Sequence, residues 1–111
     1  MSIYYAAIIV FKIGGEYGIY EEKRDIVVRE LIDIMYGSGY SLRDISTGYN
    51  PVLKFERNNI IVIARIMNFE DTIELHLVVE NYGLIRELNG ILGKLYIRVK
   101  DAVKTSGEHE D

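Results

Sequence analysis

The stretch VLKFERNNIIVIARIMNFEDTIELHLVV, Val52–Val79, decides the fold. Its last part, DTIELHLVV from Asp71 to Val79, sets Ile73, Leu75, Leu77 and Val79 on one face and Thr72, Glu74 and His76 on the other. Successive side chains of a strand point to opposite faces, so this alternation predicts a strand with one dry and one wet side. Ile60–Met67 differs: Ile60, Val62 and Ile66 form one apolar face, and Ile61, Ile63 and Met67 form another. Something must cover both. Asn58-Asn59 separates that strand from Val52–Glu56, and asparagine tolerates the positive φ of a tight turn.

On the N-terminal side, Ile3–Ile13 reads IYYAAIIVFKI, β-branched, aromatic and apolar on both faces. This predicts a central strand covered on both sides rather than an edge strand. Gly14-Gly15 predicts a hairpin turn, with Glu16–Glu21 returning as a second strand. The period then changes. Val27, Leu31, Ile34 and Met35 stand at i, i+4, i+7 and i+8, and Val28 and Ile32 widen that helical face. Asp25 is the expected N-cap and pairs with Arg29 on the outer side, while Gly37 and Gly39 end the helix. Leu42–Ser46 begins a strand that the loop Thr47–Pro51 interrupts before Val52.

On the C-terminal side, Asn81 is expected to cap a second helix along Leu84, Ile85, Leu88, Ile91 and Leu92, closed by Gly90 and Gly93. Leu95–Lys100 then predicts a last strand, with Leu95, Ile97 and Val99 opposed to Tyr96, Arg98 and Lys100. From Lys104 the chain reads KTSGEHED, which has nothing to bury and reads as a disordered acidic tail over 104–111. The expectation is one α+β domain over 1–103, a single mainly antiparallel sheet with two helices in the order ββαβββαβ. The first seven elements match the order in longin and profilin-like domains. A ferredoxin-like split βαβ with added hairpin strands is the competing topology.

Bulk properties agree with one soluble domain. The chain has 111 residues, 49% hydrophobic and 27% charged, within the size range of a single core. It has no cysteine and two histidines, His76 and His109, which excludes disulfides, thiol catalysis and thiolate or multi-histidine metal centres. The apolar run Ala6–Phe11 is far short of the ~20 residues of a membrane span. No signal-peptide pattern is visible at the N-terminus, so the expected location is the cytoplasm, with no membrane association. The absence of glutamine and cysteine, with abundant isoleucine and many Glu, Lys and Arg, is the composition of a protein from a hot habitat.

Several residue groups carry side chains capable of chemistry. Gly14–Gly18 is glycine-rich after a strand but lacks the Lys-Ser/Thr pair of a phosphate loop, so a hairpin turn explains it and no cofactor is expected. Glu74 and His76 share a strand face and could hold a divalent ion in a metal-dependent hydrolase, but a catalytic zinc takes three protein ligands and no third is evident. Ser38, Ser41 and Ser46 have no nucleophile-elbow sequence around them, so catalytic residues are not expected. Tyr96, Arg98 and Lys100 could stack a base and neutralise phosphates in RNA or DNA, against a net charge of −4 that repels polyanions.

Partner binding is the favoured reading. Nine tyrosines exceed what a small core needs, and tyrosine is enriched at interfaces. Tyr36, Tyr40 and Tyr49, at the helix end and in the following loop, are the candidate contacts. The two apolar faces of Ile60–Met67 require one helix on each side of the sheet, or both helices on one side and a second subunit on the other.

The runs IYYAAIIVFKIGGEYGIY and NNIIVIARIMNFEDTIELHLVVE, with the size and the heat-adapted composition, resemble arcadins, small archaeal accessory proteins of the actin-like crenactin cytoskeleton. The resemblance implies a cytoskeletal accessory protein without enzymatic activity, whose partner is an actin-like filament protein. It assigns no individual residue.

Overall fold

The computed structural model describes residues 2–12 and 19–108, and within them the side chains of 2–12 and 23–103. In chain order the elements are β1 (Tyr5–Lys12), α1 (Ile19–Gly37), β2 (Ser41–Ser46), β3 (Val52–Arg57), β4 (Ile60–Asn68), β5 (Thr72–Val79) and α2 (Ile85–Glu108). A 3-10 turn, Tyr82–Leu84, leads into α2. The strands form one five-stranded sheet in the order β1-β5-β4-β3-β2, and every neighbouring pair is antiparallel. The fold is therefore α+β, one antiparallel sheet with two helices.

The region Val52–Val79 folds as its alternation requires. Ile73, Leu75, Leu77 and Val79 are buried, whereas Thr72, Glu74 and His76 are half-buried on the opposite face. Asn58 and Asn59 take φ of 52° and 65° in the β3–β4 turn, the left-handed pair of a tight hairpin whose twist matches its strands. At the end of α1, Gly39 sits at φ +90°. Its amide donates to the Tyr36 carbonyl at 3.0 Å, and the Tyr40 amide donates to the Met35 carbonyl at 3.0 Å. This is a Schellman cap, which satisfies carbonyls that the helix end would leave orphaned.

The element order is βαββββα, not ββαβββαβ, for three local reasons. First, the chain is helical from Ile19, so the expected strand Glu16–Glu21 is not formed over its last three residues. Residues 13–18, with the expected Gly14-Gly15 turn, lie outside the described residues. Asp25 consequently lies inside α1 rather than capping it. Its carboxylate is 3.8 Å from Arg24, and Arg29 approaches Glu30 instead. Second, Ser41–Ser46 and Val52–Arg57 are two complete strands, paired with each other across the Thr47–Pro51 loop. Third, the expected last strand Leu95–Lys100 is part of α2. Leu95 and Val99 extend the buried stripe of Leu88, Ile91 and Leu92 at helical spacing, whereas Ile97 is 61% exposed. Gly90 and Gly93 do not close α2, since both fall on its exposed side. There a missing side chain costs only helix propensity, ~1 kcal/mol each.

These changes remove the second strand on which the longin and profilin-like match rested, and the final strand of a ferredoxin-like arrangement. Helical backbone in α2 continues to Glu108, through residues read from sequence as the start of an acidic tail. Residues 109–111 lie outside the described residues.

Both helices lie on the same side of the sheet. Ala7, Phe11, Leu53, Phe55, Val62, Ala64 and Ile66 join the buried side chains of β5, α1 and α2 in a single apolar cluster. β1, expected at the centre of the sheet, is an edge strand paired only with β5. Its second apolar face is not covered by any of the described residues: Ile8 is 52% and Val10 is 47% exposed. The double-sided apolar pattern was real, but among the described residues only one of its sides has a covering layer. No described helix is long and apolar enough to cross a membrane.

Candidate interaction surface

The face of the sheet opposite the helices is built from alternate residues of all five strands, and strand register fixes its layout. Ala6, Val78 and Ile63 lie side by side across β1, β5 and β4, followed by Lys54 and Asp44 on β3 and β2. The next row is Ile8, His76, Arg65, Val52 and Ser46. The row beyond it is Val10, Glu74 and Met67. None of these side chains is fully buried, whereas the inward residues of β3, β4 and β5 are buried except Arg57 and Ile60, which flank the β3–β4 turn. At one end, Tyr4, Ile61, Ile63 and Val78 line a shallow groove of about 570 Å³, edged by Lys54 and Glu80.

Among the described residues the charges on this face balance. Lys12, Lys54 and Arg65 belong to it by register, and Arg43 joins it through a 2.7 Å ion pair with Glu56 at the irregularity in β2. Asp44, Glu56, Glu74 and Glu80 match them in number.

The three tyrosines expected at a partner surface separate. Tyr36 is 55% and Tyr49 57% exposed, on the helix end and in the β2–β3 loop. Tyr40 is buried and is not a surface contact. It is the hydrophobic residue that closes the Schellman cap, and the Arg57 guanidinium lies over its ring, 4.3 Å from the centroid. Burial pushes the Tyr40 phenol up, Glu87 adds to the shift, and Arg57 opposes it. Arg57 also donates to both carboxylate oxygens of Glu87, at 2.6 and 2.7 Å, and to the Ser38 carbonyl at 2.8 Å. This fork ties β3 to the end of α1 and to α2. The Arg57 hydrogen bond holds the Glu87 carboxyl below its ordinary range. The role of Tyr40 and Arg57 is structural; its sequence signal was the Gly39–Tyr40 pair after an apolar helix.

Glu74 and His76 do meet: Glu74 Oε1 is 3.0 Å from His76 Nε2. Among the described residues no group of three or more His, Asp or Glu side chains is arranged to hold a metal ion. The pair is better described as a polar island between Ile8, Val10 and Met67.

Tyr96, Arg98 and Lys100 do not share a face as they would on a strand. On α2, Arg98 turns toward α1 and engages Glu30, 3.0 Å away, and Asp33. The Asp33 hydrogen bond holds the guanidinium pKa up. Tyr96 stacks on Phe11, with centroids 5.9 Å apart, and Lys100 Nζ lies 5.1 Å from the Tyr96 ring centroid. The cation best suited to phosphate is thus already matched to carboxylates.

Sequence reasoning missed Ile8 and Val10 as surface residues, because their pattern implied cover on both sides. The signal that could have found them was the same double apolar face, counted against helices too few to cover both sides if they pack together. No family model matches the chain, and no curated protein matches it.

Proposed function

We propose that this chain is a non-catalytic protein-interaction and assembly module that docks through the open face of its sheet. The observation that carries the reading is the uncovered apolar row Ala6–Val78–Ile63 with Ile8 and Val10 beside it. Contiguous apolar area that the described residues do not cover, interleaved with charged residues, is the signature of a docking surface on a small protein. Tyr36 and Tyr49 are the remaining tyrosine candidates for a peripheral contact. The resemblance to arcadins adds one finer proposal, that the assembly served is an actin-like filament in the cytoplasm.

The test uses the full chain as bait in nuclease-treated native extract, beside Ile8→Lys and Tyr36→Ser variants. The reading expects a protein held by the wild type, lost by Ile8→Lys and weakened at most modestly by Tyr36→Ser. Equal recovery of every protein by wild type and Ile8→Lys would remove the open face as the docking surface.

A further inference from the structure

We infer that the occupant of the open sheet face is a second copy of this chain, docked face to face in a two-fold dimer. The inference rests on the docking surface proposed above and adds what covers it. Three features select a second copy.

The first is area. Five strands at ~4.8 Å spacing and six to eight residues at ~3.3 Å rise make a face of roughly 500–600 Å². Two copies would bury roughly 1,000–1,200 Å², at the lower limit of specific interfaces. The estimate is reached only if nearly the whole sheet face is used, which two copies of the same sheet achieve together.

The second is charge. A two-fold interface brings one patch against itself, so any net charge on that patch repels its own copy. The chain as a whole carries −4, yet among the described residues the cations and anions of this face are equal in number. Such neutrality serves self-docking, whereas a strongly charged partner would be matched by an imbalance of the opposite sign.

The third is the arrangement of apolar and polar rows. Ala6, Ile63 and Val78 run across the sheet next to the row of Ile8, His76 and Arg65. A two-fold axis in the plane of the interface sets the apolar row of one copy on that of the other. Lys12, Arg43, Asp44, Glu56 and Glu80 then lie toward the rim, whereas Lys54, Arg65 and Glu74 face the other copy. Stacked sheets pack about 10 Å apart, a distance that Ile, Val and Met side chains fill and that shields the half-buried Glu74–His76 pair.

Sedimentation equilibrium of the full chain from low micromolar to several hundred micromolar tests this directly. The wild type is expected to approach twice the 12.8 kDa chain mass. Ile63→Glu and, independently, Ile8→Lys are each expected to raise the dimer dissociation constant at least about a hundredfold, because each would bury a charge at the interface. Ile8 is already half exposed in the single chain, so Ile8→Lys keeps the test open should Ile63→Glu fail to fold. A wild type that stays monomeric throughout, or a dimer that both folded variants leave intact, overturns the inference. The extract experiment separates the two ideas. A monomeric wild type that still captures a protein lost by Ile8→Lys leaves the docking surface standing with another occupant. A monomeric wild type indifferent to Ile8→Lys sinks both.

Discussion

The two faces of the sheet contain similar numbers of isoleucine and valine but differ completely in surroundings. On the helix side, Leu53, Phe55, Val62, Ile66, Leu75 and Leu77 are all fully buried. On the other side, Ile61, Ile63, Met67 and Val78 are only half-buried, and Ile8 and Val10 are more open still. Apolar composition does not by itself decide burial. The placement of the covering elements does, and both helices went to one side.

The largest expected contrast comes from truncating one residue on each face. Leu75→Ala should cost about 3 kcal/mol, from lost transfer energy and the cavity left behind. The same change at Ile63 should cost well under half as much in a chemical melt run at low micromolar concentration, where self-association is minimal. Equal losses would mean that the open face is covered within the chain. Next in size is Gly39→Ala. Its φ of +90° strains any L side chain, and the added Cβ would sit 3.3 Å from Arg57 Cδ. A loss of about 1–2 kcal/mol is expected, read as a lower urea midpoint. It would loosen the turn that returns α1 from the helix layer into the sheet.

Two changes should act in the opposite direction. A Cβ at Gly90 or Gly93 meets nothing within 4 Å, so Gly90→Ala and Gly93→Ala should each stabilise the fold by about 0.5–1 kcal/mol. A loss instead would contradict a continuous α2 and favour the shorter helix expected from sequence.

The smallest effect is a pH dependence on the helix side. The Glu87 carboxyl is lowered by Arg57, so its contribution is fully present above the unfolded carboxylate value of about 4.3. It is lost as pH falls through the folded value. Urea melts at pH 6 and pH 3 should show a small acid loss that Glu87→Gln removes. With the carboxylate more than a third exposed, screening keeps the effect modest.

The sheet was most legible where local rules met no competition. Asp71–Val79 alternates strictly, and Asn58-Asn59 has one good use, a tight turn. Leu95–Lys100 was illegible because six residues with Leu95 and Val99 four apart satisfy both a strand and a helix. Only packing of the preceding turns against β1 and α1 chooses between them. For the site, Glu74 and His76 were rightly placed together by period-two geometry, whereas Tyr40 was misplaced. A tyrosine after a helix-ending glycine reads as loop, and sequence spacing says nothing of the arginine from β3 that lies over its ring. The position of β1 was misread as central, since two apolar faces fit an edge strand with one open side as well as a strand covered on both.

The strand order has a kinetic consequence. β1 pairs only with β5, in a register that joins Tyr5 to Val79, so the intervening chain must form before the first strand gains a hydrogen-bonded neighbour. β2 through β5, by contrast, can zip as successive hairpins as they emerge from the ribosome. Long-range closure of this kind slows folding. Until it occurs, the sticky IYYAAIIVF segment stays available to other nascent chains. The vulnerable moment for this protein is therefore during synthesis.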